Sequence, residues 1–204
     1  PPRRIFIVKK LGFALLRNLI EVAHAFMSMG FEVIVEESVV EEMKRAAFEN
    51  DRENVVDVTA TEVKEKKRKK VIDPAETASA AEVRDNVLSK VGTLRVDSSD
   101  GRIPREDWGT VDLVVCLGGD GVILHASKLF QGPVPPLMGF HFGSMGFLTN
   151  HPPKQMAQSL LQSVGRGPKK VANVKGGIPI TLRMRLECTL VKKKDSARNG
   201  GNGA

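Results

Sequence analysis

Five residues, Leu117-Gly118-Gly119-Asp120-Gly121, constrain this chain more than any other segment, because they set one carboxylate in a loop made almost wholly of glycine. Upstream, residues 111–117 (VDLVVCL) are short, β-branched and nearly continuous in apolar character, the pattern of a buried parallel strand. Downstream, Val122, Ile123, Ala126, Leu129 and Phe130 recur at helical spacing. Strand, glycine turn and helix N-terminus together present main-chain N–H groups and a positive dipole end to phosphate. A carboxylate there repels phosphate unless it has a task. Two tasks fit: accepting the proton of an attacking hydroxyl, or holding the metal that bridges phosphates. The bland alternative is a tight turn whose Asp caps the following helix.

A second segment favours the ligand reading. Residues 135–150 (PPLMGFHFGSMGFLTN) read as another strand running into another glycine loop. In an open parallel sheet, ligands sit in the crevice beyond the carboxyl ends of the strands. Two glycine loops on that edge make a nucleotide-sized cleft.

The pair LGGDGVILHA (117–126) and FHFGSMGFLTN (140–150) resembles the paired signature of NAD kinases, which phosphorylate the 2′-hydroxyl of the adenosine ribose of NAD with ATP. The likeness extends more loosely to residues 3–10, to 112–116 and to the strand after Gly177, and is nearest the eukaryotic branch through Phe130-Gln131-Gly132 and Val134-Pro135-Pro136. Val122 stands where the family usually has Thr, which removes one possible hydroxyl contact to phosphate. The resemblance implies that Asp120 is catalytic: it accepts the ribose hydroxyl proton, or holds that hydroxyl in line with the ATP γ-phosphate. It implies that Gly118, Gly119 and Gly121 bind nucleotide by backbone conformation and close approach. Phe147 would lie against bound NAD, with Leu148 and Thr149 beside it, and Asn150 is either a polar contact or a cap before Pro152. ATP with its Mg2+, and NAD as substrate, are the implied small molecules. No resident metal site is expected, since only four histidines occur and none has ligand spacing.

The remaining pattern predicts an α/β fold: an open, mostly parallel Rossmann-like sheet with helices on both faces. Residues 5–8 form a first strand, a helical period runs from Leu16 to Met27 with Gly30 as its stop, and 31–35 form a second strand. This βαβ opening calls for a right-handed crossover. Ser38 with Glu41 suggests a capping box for a helix to about Phe48, and Asp73-Pro74 a second helix to about Lys90. The polar, charged stretch between them, near 50–70, reads as an insertion. Trp108 reads as a packing anchor, and His125 and His141 as structural histidines. Pro152-Pro153 opens a helix that Gly165 closes.

Residues 180–190 then change type. Ile180, Leu182, Met184, Leu186, Cys188 and Leu190 alternate with polar residues in strict period two, one apolar face and one wet face. A boundary is therefore expected near 176: a nucleotide-binding domain over 1–175, the first strand of a truncated C-terminal β-rich domain over 176–191, and a basic, Gly/Asn-rich disordered tail over 192–204. With Pro1 rather than Met at the start, and with no evident partner in the chain for the 180–190 strand, the expectation is an incomplete and weakly active or inactive fragment of a longer parent that forms homo-oligomers.

Charge and cysteine usage set the surroundings. Net charge is +7, but much of it lies in residues 64–70 (KEKKRKK) and 192–194, without interleaved aromatics, so nucleic acid is not the expected partner. Cys116 and Cys188 both sit in strand patterns and read as buried or half-buried apolar side chains, implying a reducing, cytoplasmic setting; no run suits a membrane span or signal peptide. Two other readings compete: a related lipid or sugar kinase, since diacylglycerol and sphingosine kinases and phosphofructokinases also use a glycine–aspartate loop, or a non-catalytic nucleotide-binding paralogue.

Overall fold

The computed structural model describes residues 2–56, 74–97, 99–165, 180–186 and 188–191, without the side chains of 47–56 and 74–79. Five strands, β1 (Arg4–Lys9), β2 (Glu32–Glu36), β3 (Gly92–Leu94), β4 (Leu113–Gly118) and β5 (Leu137–His141), form one all-parallel sheet in the order β3-β2-β1-β4-β5. Five α-helices accompany them: α1 (Leu16–Ser28), α2 (Glu37–Val56), α3 (Pro74–Lys90), α4 (Asp120–Leu129) and α5 (Met156–Ser163). Among the described residues no helix is long and apolar enough to cross a membrane.

The strand order follows from crossover handedness. From β1 the chain steps outward through β2 to β3, then returns past both to β4 on the other side of β1 and goes on to β5. Right-handed crossovers made in opposite directions must pass over opposite faces. Accordingly, odd-numbered Ile5 and Ile7 of β1 pack with α1, α2, α3 and α5, while Phe6 and Val8 pack with α4 and the segment carrying Ile103 and Trp108. The strands are buried on both faces, which is why they read as continuous apolar runs.

Local chemistry explains the boundaries. α1 ends in a Schellman arrangement: the Gly30 N–H donates to Met27 O (2.9 Å) and the Phe31 N–H to Phe26 O (3.1 Å), with Gly30 at φ +85°. Trp108 anchors the second face, its Nε1–H donating to Ile103 O at 3.0 Å and its ring filling the space beside Gly132, where no Cβ fits. Asp112 fastens the start of β4 to β1 by accepting from the Arg3 and Arg4 N–H groups at 2.8 and 2.9 Å.

Several sequence expectations are corrected. α2 starts at Glu37, directly off β2, so Ser38 lies within the first turn rather than capping it, and the helix runs on to Val56. β3 was not foreseen; three residues, Gly-Thr-Leu, carry no periodicity. Cys116 is buried and its thiol is pushed up to about 12 by that burial, but Cys188 is exposed. Residues 57–73, with most of the expected insertion, and 192–204 lie outside the described residues.

Phe6 is fully buried at the centre of the sheet and packs edge-on against Phe130, ring centroids 6.1 Å apart. Phe6→Ala should lower unfolding free energy by about 3–5 kcal/mol, measured by urea denaturation.

Candidate functional site

The site lies where two carboxyl-terminal strand ends meet. β4 and β5 are neighbours, with Gly118 opposite His141, so the loops that follow them open on one edge of the sheet. The Phe142 N–H donates to Gly118 O at 3.2 Å, extending the contact into the loops. After β5 the chain makes a closed lobe and returns beside its own strand: the His141 N–H donates to His151 O at 3.1 Å.

Asp120, first residue of α4, joins the lobe to the glycine loop. Its Oδ2 accepts from the Phe147 N–H at 2.8 Å. Its Oδ1 accepts from the Leu148 N–H at 3.0 Å, and from the Thr149 N–H and Thr149 hydroxyl at 3.1 Å each. α4 has no side-chain cap, so the carboxylate does not serve its own helix. Desolvation works against the charge, but the hydrogen bonds from Leu148, Phe147 and Thr149 outweigh it and hold the carboxyl below its ordinary value. An ionised Asp120 is therefore a poor proton acceptor near neutrality and a good fixed hydrogen-bond acceptor.

The neighbouring residues divide by exposure. Thr149 is wholly buried and Leu148 packs against the core, whereas Phe147 is 93% exposed, its ring unclaimed by the core. Asn150 is exposed, and the short 310 turn that follows (Pro153–Gln155) has Pro152 at its cap position without any side-chain cap; the capping role suggested for Asn150 is not found. His125, on α4, donates from Nε2 to both Glu36 oxygens at 3.0 and 3.1 Å, a structural link to the end of β2. His141 donates from Nδ1 to Gly143 O at 3.2 Å, and its buried Nε2 has no partner among the described residues.

The glycines differ in what they permit. At Gly118 a Cβ would strike the Val122 side chain, so the turn itself excludes one. Gly119 and Gly121 have ordinary backbone geometry and open space where a Cβ would stand. The fold does not need them; only something entering that space could. Gly146, not among the site residues expected from sequence, is tighter still than Gly118: a Cβ there would collide with both Asp120 oxygens. Its only sequence signal was its place in the FGSMGF loop.

Two further features escaped sequence reasoning. Lys9 is buried, its Nζ paired with Glu42 Oε2 and donating to Gly12 O at 2.8 Å and Lys10 O at 3.2 Å. Arg185 reaches back to the end of α4, donating to the carbonyls of Phe130, Ser127 (3.2 Å) and Gly132 (2.7 Å), where cations suit the helix dipole. Residues 180–186 and 188–191 form no ladder, and Leu182, Met184, Leu186 and Leu190 stand exposed. The wet face of that stretch is thus the one laid on the domain, through Arg185 and through Arg183, which reaches Phe147 O at 3.5 Å. Among the described residues no three His, Cys, Asp or Glu side chains converge to hold a metal.

A doubly wound parallel sheet with two glycine loops on its carboxyl edge, beside the strand switch, defines a Rossmann-like α/β domain. Comparison makes this particular. Residues 5–167 match the family model described as the ATP-NAD kinase N-terminal domain, and the chain belongs to that family. Similar proteins include NAD kinase 2, chloroplastic, of Arabidopsis thaliana, 52% identical over 83 residues, which cover 41% of this chain and 8% of that protein. NAD(+) kinase of Saccharomyces cerevisiae is 44% identical over 82 residues, covering 40% of this chain and 14% of that one. A solved structure of yeast NADH kinase complexed with NADH is 20% identical, with a TM-score of 0.47 over 81% of this chain and 39% of that chain. The chain therefore matches only a small part of the length of these relatives.

Gly146→Ala should displace the Asp120 carboxylate without unfolding the sheet. Amide exchange at Phe147, Leu148 and Thr149 should then speed up while that of β4 stays slow. A separate expectation follows from His125, whose pKa is raised chiefly by its hydrogen bond to Glu36, against desolvation. The pair stabilises fully below about 6.5, the unfolded value, and that contribution is lost as pH rises through the higher folded value. Half-exposed, it should be small. Thermal melts of wild type and His125→Gln should converge at alkaline pH and part below about pH 6.5.

Proposed function

We infer that this domain binds ATP and NAD and carries the reacting-centre acid of an NAD kinase, which transfers the γ-phosphoryl group of ATP to the 2′-hydroxyl of NAD. The supporting observation is the Asp120 carboxylate held just beyond the carboxyl end of β4, hydrogen-bonded to residues 147–149 from the neighbouring loop. The ribose oxygen attacks phosphorus, the bond to the β-phosphate oxygen breaks, and ADP leaves with that electron pair. Such a transition state is loose and asks for positioning more than for a strong base. A carboxylate held below its ordinary pKa suits that demand. Asp120 accepts the hydrogen bond of the hydroxyl and aims its oxygen; the proton leaves late, passing to water once the forming oxygen–phosphorus bond has made the hydroxyl acidic. Of the two roles that the resemblance implies for Asp120, orientation of the hydroxyl has the better support.

Gly119 and Gly121 leave the space that phosphate would occupy against the first turn of α4, whose N-terminal dipole end would favour a negative ligand. The exposed Phe147 ring offers a flat apolar surface to a base or nicotinamide. Magnesium enters this reading as part of the MgATP substrate, where it neutralises phosphate charge. The exposed apolar row at 180–190 supports weak turnover by this polypeptide alone, since a covering element would complete the cleft. An intracellular compartment is part of the reading; relatives named chloroplastic leave cytosol and plastid equally open.

The test is NADP formation from NAD and MgATP, beside calorimetric binding of each nucleotide. Asp120→Asn should lower turnover by about 100-fold or more, and it should also loosen the lobe, because an amide offers donors to donors. Thr149→Val removes one hydroxyl bond and keeps the acid, so it should retain most activity. If Thr149→Val falls as far as Asp120→Asn, Asp120 merely holds the loop. Absence of any nucleotide binding would remove the reading altogether.

A further inference from the structure

Two adjacent lysines at the end of β1 have opposite fates. Lys9 follows Ile5 and Ile7 onto the α2 face, where its side chain is almost wholly buried. Its ammonium is shared among Glu42 of α2, the Lys10 carbonyl and the Gly12 carbonyl, while Glu42 Oε1 also accepts the Gly12 N–H at 3.4 Å. Burying a lysine and a glutamate is costly in desolvation, and such a pair is an expensive way to gain stability. What it accomplishes here is local: it pins the carbonyls of Lys10 and Gly12 in the loop leaving β1, which turns at Gly12 with φ +94°.

Lys10 is the residue so pinned. It continues the alternation of Phe6 and Val8 onto the α4 face. Its N–H donates to Leu117 O at 2.9 Å, at the last step of the β1–β4 pairing before the glycine loop. Its Cβ bounds, at 3.3 Å, the space a Cβ would take at Gly118, beside Val122 in the first turn of α4. The side chain is exposed, and no acidic partner engages it among the described residues. The glycine loop is therefore flanked on the β5 side by a fixed acid, Asp120, and on the β1 side by a free cation. β1 and β4 are the strands between which the sheet reverses its direction of growth, the position where doubly wound sheets receive ligands.

We propose that Lys10 contacts the polyphosphate of the nucleotide bound over the Gly118–Gly119 turn, and that the buried Lys9–Glu42 pair holds the loop that presents it. This rests on the nucleotide-binding reading given above. The chemistry is that of a point-charge phosphate contact: an ammonium opposite the acid neutralises charge on the side where Asp120 cannot.

The experiment is calorimetric titration of the full chain with inorganic tripolyphosphate and with MgATP, for wild type, Lys10→Ala, Lys10→Arg and the surface control Arg17→Ala, in α1, whose guanidinium pairs with Glu21. Lys10→Ala should weaken tripolyphosphate and MgATP binding by about tenfold or more, the usual loss for one charge-assisted contact. Lys10→Arg should retain most of the affinity, and Arg17→Ala should match wild type. Unchanged melting temperatures would show that each variant is folded, as expected for exposed side chains. If Lys10→Ala binds both probes like wild type, or if Arg17→Ala weakens them equally, the assignment of Lys10 is overturned while the nucleotide-binding reading stands. If wild type binds neither probe, that reading fails and this inference with it.

Discussion

Everything around the site depends on one carboxylate accepting four hydrogen bonds from three consecutive residues. Asp120 sits at the start of α4, and Phe147, Leu148 and Thr149 belong to the lobe after β5; without the bonds between them, two loops would share an edge but not a shape. Three of the four donors are main-chain N–H groups that would otherwise need water, so the acid also satisfies the backbone of the lobe. Gly146 makes this approach possible by leaving out the one atom that would obstruct it.

The sheet supplies the rigidity that such a contact needs. β1, β4 and β5 are buried on both faces or nearly so, and their ends are held in register by a parallel ladder. Loops placed on that frame are where binding groups are expected, and the groups here fall on both sides of the switch between β1 and β4. An acid stands on one side of the glycine turn and a lysine on the other. Two devices off the turn act as braces: the Lys9–Glu42 pair under the β1 loop, and Arg185 over the carbonyls at the end of α4.

In the stretch 180–190, a plain pattern left the choice of contacting face undetermined. Its alternation was plain, and so was its want of a strand partner. Which face meets the domain was not. Arg183 and Arg185 turn inward onto carbonyls, and the leucines and methionine turn outward. Alternation separates two faces by composition; it carries no information about which neighbour each face will find.

Residue order by itself determined the strands, the glycine turns and the helices between them, because apolar periodicity and glycine placement are local properties read over a few residues. It failed at β3, where three residues hold no pattern, and at the start of α2, where Ser38 looked like a cap. Only the tertiary structure decided that β4 lies against both β1 and β5, that Asp120 serves residues 147–149 rather than its own helix, and that of the two lysines Lys9 and Lys10 one is buried and the other free. Those outcomes join residues far apart in the chain, and the twist and handedness of the assembled sheet bring them together. No short window of residues contains that information.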